Sequence, residues 1–280
     1  MSRLGIIAGG GDLPVAIAEC ARKAGRDAFV LALNGSEPDF AGFPREEIGL
    51  GELGKSFALL HKNGCDTVTL AGRINRPDWK SIKMDVRGAL ALPKVVAAAL
   101  KGDDALMRTM LAIFEKDGFK VIGTAEAAPE LIATAGIYGR YKPDAQAMDD
   151  IAYALRIVRR MGELDIGQAA VVCEGLTLAV EAAEGTDAMM ARLVNLPKTL
   201  RGTPQARRGV MLKAPKPTQD RRVDLPVIGA RTVELASEAG LAGIAVEAGA
   251  SLVIRKEKIV EMADRLGLFV MAFDKDIAEA

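Results

Sequence analysis

An apolar run at residues 3–8 stops at Gly9-Gly10-Gly11, and a helical pattern takes over from Leu13 to Ala24 before Gly25 ends it. Few folds accept that order. Three glycines allow a tight turn, and residues 27–33, which follow the helix, again read as a strand. Two parallel strands need a crossover of a dozen or more residues, and the helix supplies it, so the chain opens with a parallel βαβ unit. Strands at 67–70 and 119–123 and a helix at 103–116 continue the alternation. In that helix Asp103 is placed to cap, Leu106, Met110, Ile113 and Phe114 form one apolar face, and Gly118 follows the end. We expect residues 1–134 to form an α/β, Rossmann-like N-terminal domain with a doubly wound parallel sheet.

The turn-rich stretch 135–146, with Gly136, Gly139 and Pro143, reads as a linker. Residues 147–280 are expected to be a C-terminal mixed α/β domain. A helix over roughly 145–161 carries Met148, Ile151, Leu155 and Val158 on one stripe. Strands are expected at 169–173 and 176–182, joined as a hairpin, and at 210–214, 243–246, 251–254 and 268–272, with helices at about 231–239 and 256–266.

Composition narrows the function classes. The 37 basic and 37 acidic residues of the 280 cancel, which argues against a nucleic-acid binder driven by overall field, and nucleic acid is not expected as a partner. Cys20, Cys65 and Cys173 are far apart and odd in number, which suits buried thiols in a reducing compartment. Glycines 9–11 interrupt the first apolar run, so no signal peptide is read, and no segment reaches the ~20 apolar residues of a membrane span. We expect a cytoplasmic protein. His61 is the single histidine, at the end of a helix before Asn63-Gly64, which leaves no histidine-rich metal centre.

Cation is concentrated locally. From Lys198 to Arg222 there are eight Lys or Arg against one acid, Asp220, and Pro215, Pro217 and Pro226 keep the end of this region from being helical. A loop carrying Asp220 and Asp224 among lysines and arginines suits a polyphosphate with a divalent metal, although a solvated basic loop has the same composition. Gly9, Gly10, Gly11, Asp12 and Leu13 lie at a helix N-terminus, where backbone N–H groups favour a phosphate; the alternative is a tight βα connection with no ligand. The dinucleotide fingerprint fails there: Pro14 stands where the third glycine belongs, and no acid closes the second strand at Leu33-Asn34. Gly72 and Arg73 end a predicted parallel strand, so Arg73 would reach a ligand or, equally, pair with Asp78 or Asp85. Gly167 and Gln168 precede one strand. Glu181, Glu184, Thr186 and Asp187 follow another, and their carboxylates could share Mg²⁺ or activate water; the alternative is that Thr186 and Asp187 cap a helix starting at Ala188.

Taken together, residues 5–14 (GIIAGGGDLP), 71–73 (AGR), 101–105 (KGDDA), 164–168 (LDIGQ), 180–187 (VEAAEGTD), 213–220 (KAPKPTQD) and 223–229 (VDLPVIG) resemble the UDP-2,3-diacylglucosamine pyrophosphatases of the LpxI family, in that family's order and over essentially the whole chain. The resemblance implies Mg²⁺-dependent cleavage of the pyrophosphate of UDP-2,3-diacylglucosamine to UMP and 2,3-diacylglucosamine 1-phosphate, in lipid A synthesis. It implies a homodimer, with elements exchanged between subunits as one form of it, working in transient contact with the cytoplasmic face of the inner membrane. By motif, Asp224 is the first catalytic residue, with Lys213 and Asp220 beside it and Asp187 in a second acidic group. Asp224 and Asp187 are the implied metal ligands. Gly9 to Leu13, Gly72, Arg73, Gly167, Gln168, Glu184, Thr186 and Gln219 are the implied substrate contacts. Val227 stands where threonine is expected in the family.

Two other readings use the same residues. A non-catalytic sensor of nucleotide sugars would need the basic loop only to bind. An NAD(P)-dependent oxidoreductase rests on the βαβ opening and glycines 9–11 alone.

Overall fold

The computed structural model describes residues 3–36, 40–74, 82–217, 222 and 225–274. The chain divides into two compact units, Met1–Glu130 with Asp220–Val223, and Leu131–Gln219 with Asp224–Ala280.

The first unit contains β1 (Arg3–Ala8), α1 (Leu13–Lys23), β2 (Ala28–Leu33), β3 (Arg45–Ile48), α2 (Leu53–Lys62), β4 (Cys65–Ala71), α3 (Val86–Ala99), α4 (Asp103–Lys116), β5 (Lys120–Val121) and α5 (Thr124–Ala127). Its five strands lie in the order β3-β2-β1-β4-β5, and every pairing is parallel. The chain winds outward from β1 to β3, then returns past β1 to place β4 and β5. Strand order therefore reverses between β1 and β4, which with right-handed crossovers is the doubly wound topology. β1 and β2 are buried almost throughout, as strands covered on both faces must be.

Local differences from the sequence expectation have physical causes. β3 was not anticipated, since only Ile48 of its four residues is buried. Nor was α3, which runs unbroken through Pro93, a residue that reads as a helix breaker, and buries Gly88, Val95 and Ala98. Asp103 does not cap α4; Gly102 does, at φ +120°, and Asp103 and Asp104 sit in the first turn, where carboxylates complement the helix dipole.

The second unit contains β6 (Gly136–Tyr138), α6 (Ala145–Glu163), β7 (Ala169–Cys173), β8 (Leu176–Val180), α7 (Gly185–Leu193), β9 (Val210–Lys213), β10 (Val227–Ile228), α8 (Ala230–Glu238), β11 (Gly243–Glu247), β12 (Leu252–Val253), α9 (Lys256–Leu266) and β13 (Phe269–Phe273). Six strands form a mixed sheet in the order β6-β13-β11-β9-β7-β8. β9, β11 and β13 are parallel, whereas β6, β7 and β8 pair antiparallel. β10 and β12 make a separate parallel pair. The stretch 135–146 is not simply a linker: β6 lies within it and pairs with β13, and Asp144 caps α6 by accepting the Ala147 amide at 2.8 Å.

Side-chain alternation along the strands fills two layers. Met211, Ile244 and Val246 pack with Met189 of α7, Val233 of α8 and Ile259 of α9. Leu212, Ala245 and Met271 face the other way, onto Ile151, Leu155 and Val158 of α6. All three cysteines are free and buried, and burial pushes the Cys20 thiol up to about 12 and that of Cys65 up to about 11. Thiols so raised stay protonated and unreactive.

Candidate functional site

Ligands in open α/β sheets bind beyond the carboxyl ends of the strands where strand order reverses. In the first unit that place lies beyond β1 and β4, and it is where Gly9, Gly10, Gly11, Asp12, Leu13, Gly72 and Arg73 sit. The two strand ends are stitched together: Gly9 N–H donates to the Ala71 carbonyl at 2.8 Å, and Gly10 and Arg73 exchange N–H···O bonds, both 2.8 Å. A side chain at Gly9 would place Cβ 2.4 Å from the Arg73 carbonyl oxygen, and one at Gly72 would meet Gly10 O and Gly9 C at 2.8 Å and Pro14 Cγ at 2.9 Å. Gly11 and Gly72 have φ of +90° and +91°. The glycines are thus demanded by the close approach of two backbones. The amides of Gly9 and Gly10, expected to face a phosphate, are committed to β4 and its loop. Asp12 holds the N-cap position of α1 without a side-chain cap, and Pro14 occupies the first turn. Asp85 is not a partner for Arg73: its carboxylate accepts the amides of Gly88 at 2.8 Å and Lys55 at 3.0 Å, joining the N-termini of α3 and α2. Asp78 lies outside the described residues.

The second unit gathers its chemistry along one edge of the six-stranded sheet. Ala169 pairs with Lys213 and Ala170 with Val180, so the start of β7, the end of β8 and the end of β9 meet there, and β11 ends beside them at Glu247. Lys213 falls on the Met211 face, under α7, and is 6% exposed. Its Nζ donates to Thr186 Oγ1 at 2.9 Å and to the Val227 carbonyl at 3.3 Å. The Thr186 hydroxyl donates in turn to Glu181 Oε1 at 2.6 Å, and Glu181 Oε2 accepts the Gln168 amide at 3.1 Å. A Cβ at Gly167 would lie 2.1 Å from the Glu181 carbonyl oxygen, so only glycine fits. Val227 contributes its backbone carbonyl here, which leaves its side chain free to differ from the threonine expected in the family.

Four residues singled out from sequence, Gly167, Gln168, Thr186 and Lys213, are brought together in this way. Glu184 is not with them: it pairs with Arg192 at 3.2 Å on the exposed face of α7. The capping alternative for Thr186 and Asp187 does not hold, because α7 begins at Gly185 with Glu184 as its N-cap, and both residues lie inside its first turn. Glu181, which sequence reading left without an individual role, is central to the cluster. Its 7% exposure is the sign of function a sequence does not print, since a carboxylate is kept out of water only where partners hold it.

On the opposite face Glu247 is fully buried, and its Oε2 accepts from Arg159 Nη2 at 2.5 Å. Arg159 Nη1 also donates to the Pro215 carbonyl at 2.9 Å, and Lys216 Nζ reaches Asp165 Oδ1 at 2.6 Å. The first residues of the basic loop are thereby fixed to the last turns of α6. Farther along that loop, Gln219, Asp220 and Asp224 lie outside the described residues. Among the described residues no group of three or more His, Cys, Asp or Glu side chains is placed to hold a metal ion. His61, the single histidine, stacks on Phe119 at 4.5 Å between ring centroids and lies 3.5 Å from Asp117.

These features define an α/β protein of two units, whose polar side chains collect beyond the carboxyl ends of parallel strands in each. Family comparison then places it. The LpxI N-terminal domain matches residues 3–131 and the LpxI C-terminal domain matches residues 134–271; the chain belongs to the LpxI family. It is 49% identical over 275 residues to a protein of Caulobacter vibrioides named UDP-2,3-diacylglucosamine pyrophosphatase LpxI, covering 98% of each chain. Among solved structures, CobK precorrin-6A reductase aligns with 98% of this chain and 88% of its own, at 13% identity and a TM-score of 0.34. A score that low carries no functional weight, and the fold described above rests on its own strand pairings.

Proposed function

We propose that this protein hydrolyses the pyrophosphate bond of UDP-2,3-diacylglucosamine, releasing UMP and 2,3-diacylglucosamine 1-phosphate, as a step of lipid A synthesis. The observation that carries the proposal is the match to the Caulobacter protein of that name along nearly its whole length. The geometry of the second unit is compatible with the chemistry. Phosphoryl transfer asks the protein mainly for positioning and for positive charge on the phosphate oxygens. Lys213 offers that charge already desolvated and oriented, with two of its N–H donors held by Thr186 and Val227.

In this reading Asp187 and Asp224 hold Mg²⁺, and Asp224 is the principal catalytic carboxylate with Asp220 beside it. The donor set fits, since Mg²⁺ is bound through one or two carboxylates together with substrate phosphates. Glu181 and Glu184 are engaged elsewhere, with Thr186, the Gln168 amide and Arg192. The ion would neutralise charge on the phosphates and lower the pKa of an attacking water. Gln168, Gln219, Arg73 and the strand-end glycines belong to substrate binding in the same proposal. A homodimer and transient contact with the cytoplasmic face of the inner membrane complete it. Among the described residues no helix is long and apolar enough to cross a membrane.

The test is UMP release from UDP-2,3-diacylglucosamine by the purified protein, with Mg²⁺ and with chelator, beside Asp224→Ala. Metal-dependent release that falls by about a hundredfold or more in the variant is expected. Substrate binding without product in the wild type would replace the enzyme with a sensor of the nucleotide sugar.

A further inference from the structure

We infer that Glu181 and Thr186 are positioning residues, which aim the third N–H of Lys213 at an oxyanion of a phosphorylated ligand beyond the end of β9. This deepens the proposed function and rests on it for the identity of the ligand, though not for the presence of the anion.

Lysine has three N–H donors and no acceptor. In Lys213 one donor goes to Thr186 and one to the Val227 carbonyl, and among the described residues the third has no partner, although the side chain is more than nine-tenths buried. A buried ammonium with a spare donor is costly unless something negative completes it. Glu181 does not complete it by direct contact. The Thr186 hydroxyl stands between them, accepting from Lys213 and donating to Glu181 Oε1. A hydroxyl that accepts from one side and donates to the other has its rotor fixed by both neighbours. Glu181 is itself fixed, by the Gln168 amide on its second oxygen and by the close approach of Gly167 to its backbone. The carboxylate thus sets the hydroxyl, the hydroxyl and Val227 set the ammonium, and the remaining N–H direction follows. Gln168 Oε1 is also buried without a partner among the described residues; as an acceptor it calls for a donor and is not completed by the oxyanion.

The arrangement explains why an acid is buried in a site for anions. Glu181 in direct contact would occupy the donor that a phosphate oxygen needs and would repel the phosphate at short range. One hydroxyl farther away, it orients the lysine and leaves that donor available.

The experiment is calorimetric titration of the full-length protein with inorganic pyrophosphate, alongside kcat and KM for UMP release. Thr186→Val removes the hydroxyl at constant shape, Thr186→Ser restores it, and Glu181→Ala removes the orienting acid. Expected are a loss of about tenfold or more in pyrophosphate affinity and in kcat for Thr186→Val and Glu181→Ala, and values within about twofold of wild type for Thr186→Ser. A structural role alone would lower thermal stability and leave the affinity of the folded fraction unchanged. Thr186→Val binding pyrophosphate as wild type does, or Thr186→Ser losing as much as Thr186→Val, would overturn the inference. Because pyrophosphate binding is read without turnover, a protein that releases no UMP but shows this pattern would sink the enzymatic reading and leave the positioning intact.

Discussion

Gly9 and Gly72 show how much of a residue's purpose is visible in a sequence. Three glycines in a row after a strand signal a tight turn, and that was legible. The reason for glycine at these positions was not, because Gly9 and Gly72 lie 63 residues apart in two strand ends whose backbones come within van der Waals distance of each other. Gly72→Ala would combine a strained φ of +91° with contacts of 2.8 Å to backbone atoms of Gly9 and Gly10. We expect it to cost about 1–3 kcal/mol or more, read as a lower urea midpoint with unchanged slope. An unshifted midpoint would mean that the two strand ends part without penalty. Lys213 was legible as part of a basic segment, whereas its burial was not: the charge run that surrounds it reads as a solvated loop, and only the sheet shows one lysine of that run turned inward beneath α7.

At the scale of elements, period and punctuation did most of the work. α4 lies where its apolar stripe and Gly118 put it, and the hairpin of β7 and β8 follows its two-residue turn. β3 was missed because only Ile48 of it is buried; α3 does bury a face at helical spacing, through Gly88, Val95 and Ala98, but the apolar Val86 and Leu90 on its exposed side blur the contrast that a hydrophobic pattern needs. The N-terminus of α3 is also tied to that of α2 by Asp85. Backbone amides of Gly88, Lys55, Gly54 and Arg87 outweigh the opposing effect of burial and hold the Asp85 carboxyl below its ordinary 3.8. A carboxylate lowered in the folded state contributes stability above its unfolded-state value and loses it as pH falls through the folded one. The unfolding temperature of the wild type should therefore drop as the pH falls below about 4, and that drop should be shallower in Asp85→Asn, measured by thermal melts across the acid range. Parallel curves for the two proteins would show that the joint between α2 and α3 has no such role.

The change from βα alternation to hairpins is what the sequence offers on organisation; the structure divides into two units, and the family domains match residues 3–131 and 134–271. What no local pattern reveals is that the first unit is discontinuous. Arg222 belongs to it: its guanidinium pairs with Glu115 at 2.8 Å, and a Cβ at Gly123 would lie 2.6 Å from the Arg222 Cα. Residues 1–131 expressed alone should accordingly unfold at a lower temperature than the same unit in the intact chain, as followed by differential scanning calorimetry. Equal transitions would show that the returning residues add nothing. The same discontinuity bears on the order of events at the ribosome. The half that is synthesised first cannot be finished first: all five strands of its sheet are made early, but the last piece of the unit emerges only after most of the second unit, some ninety positions downstream.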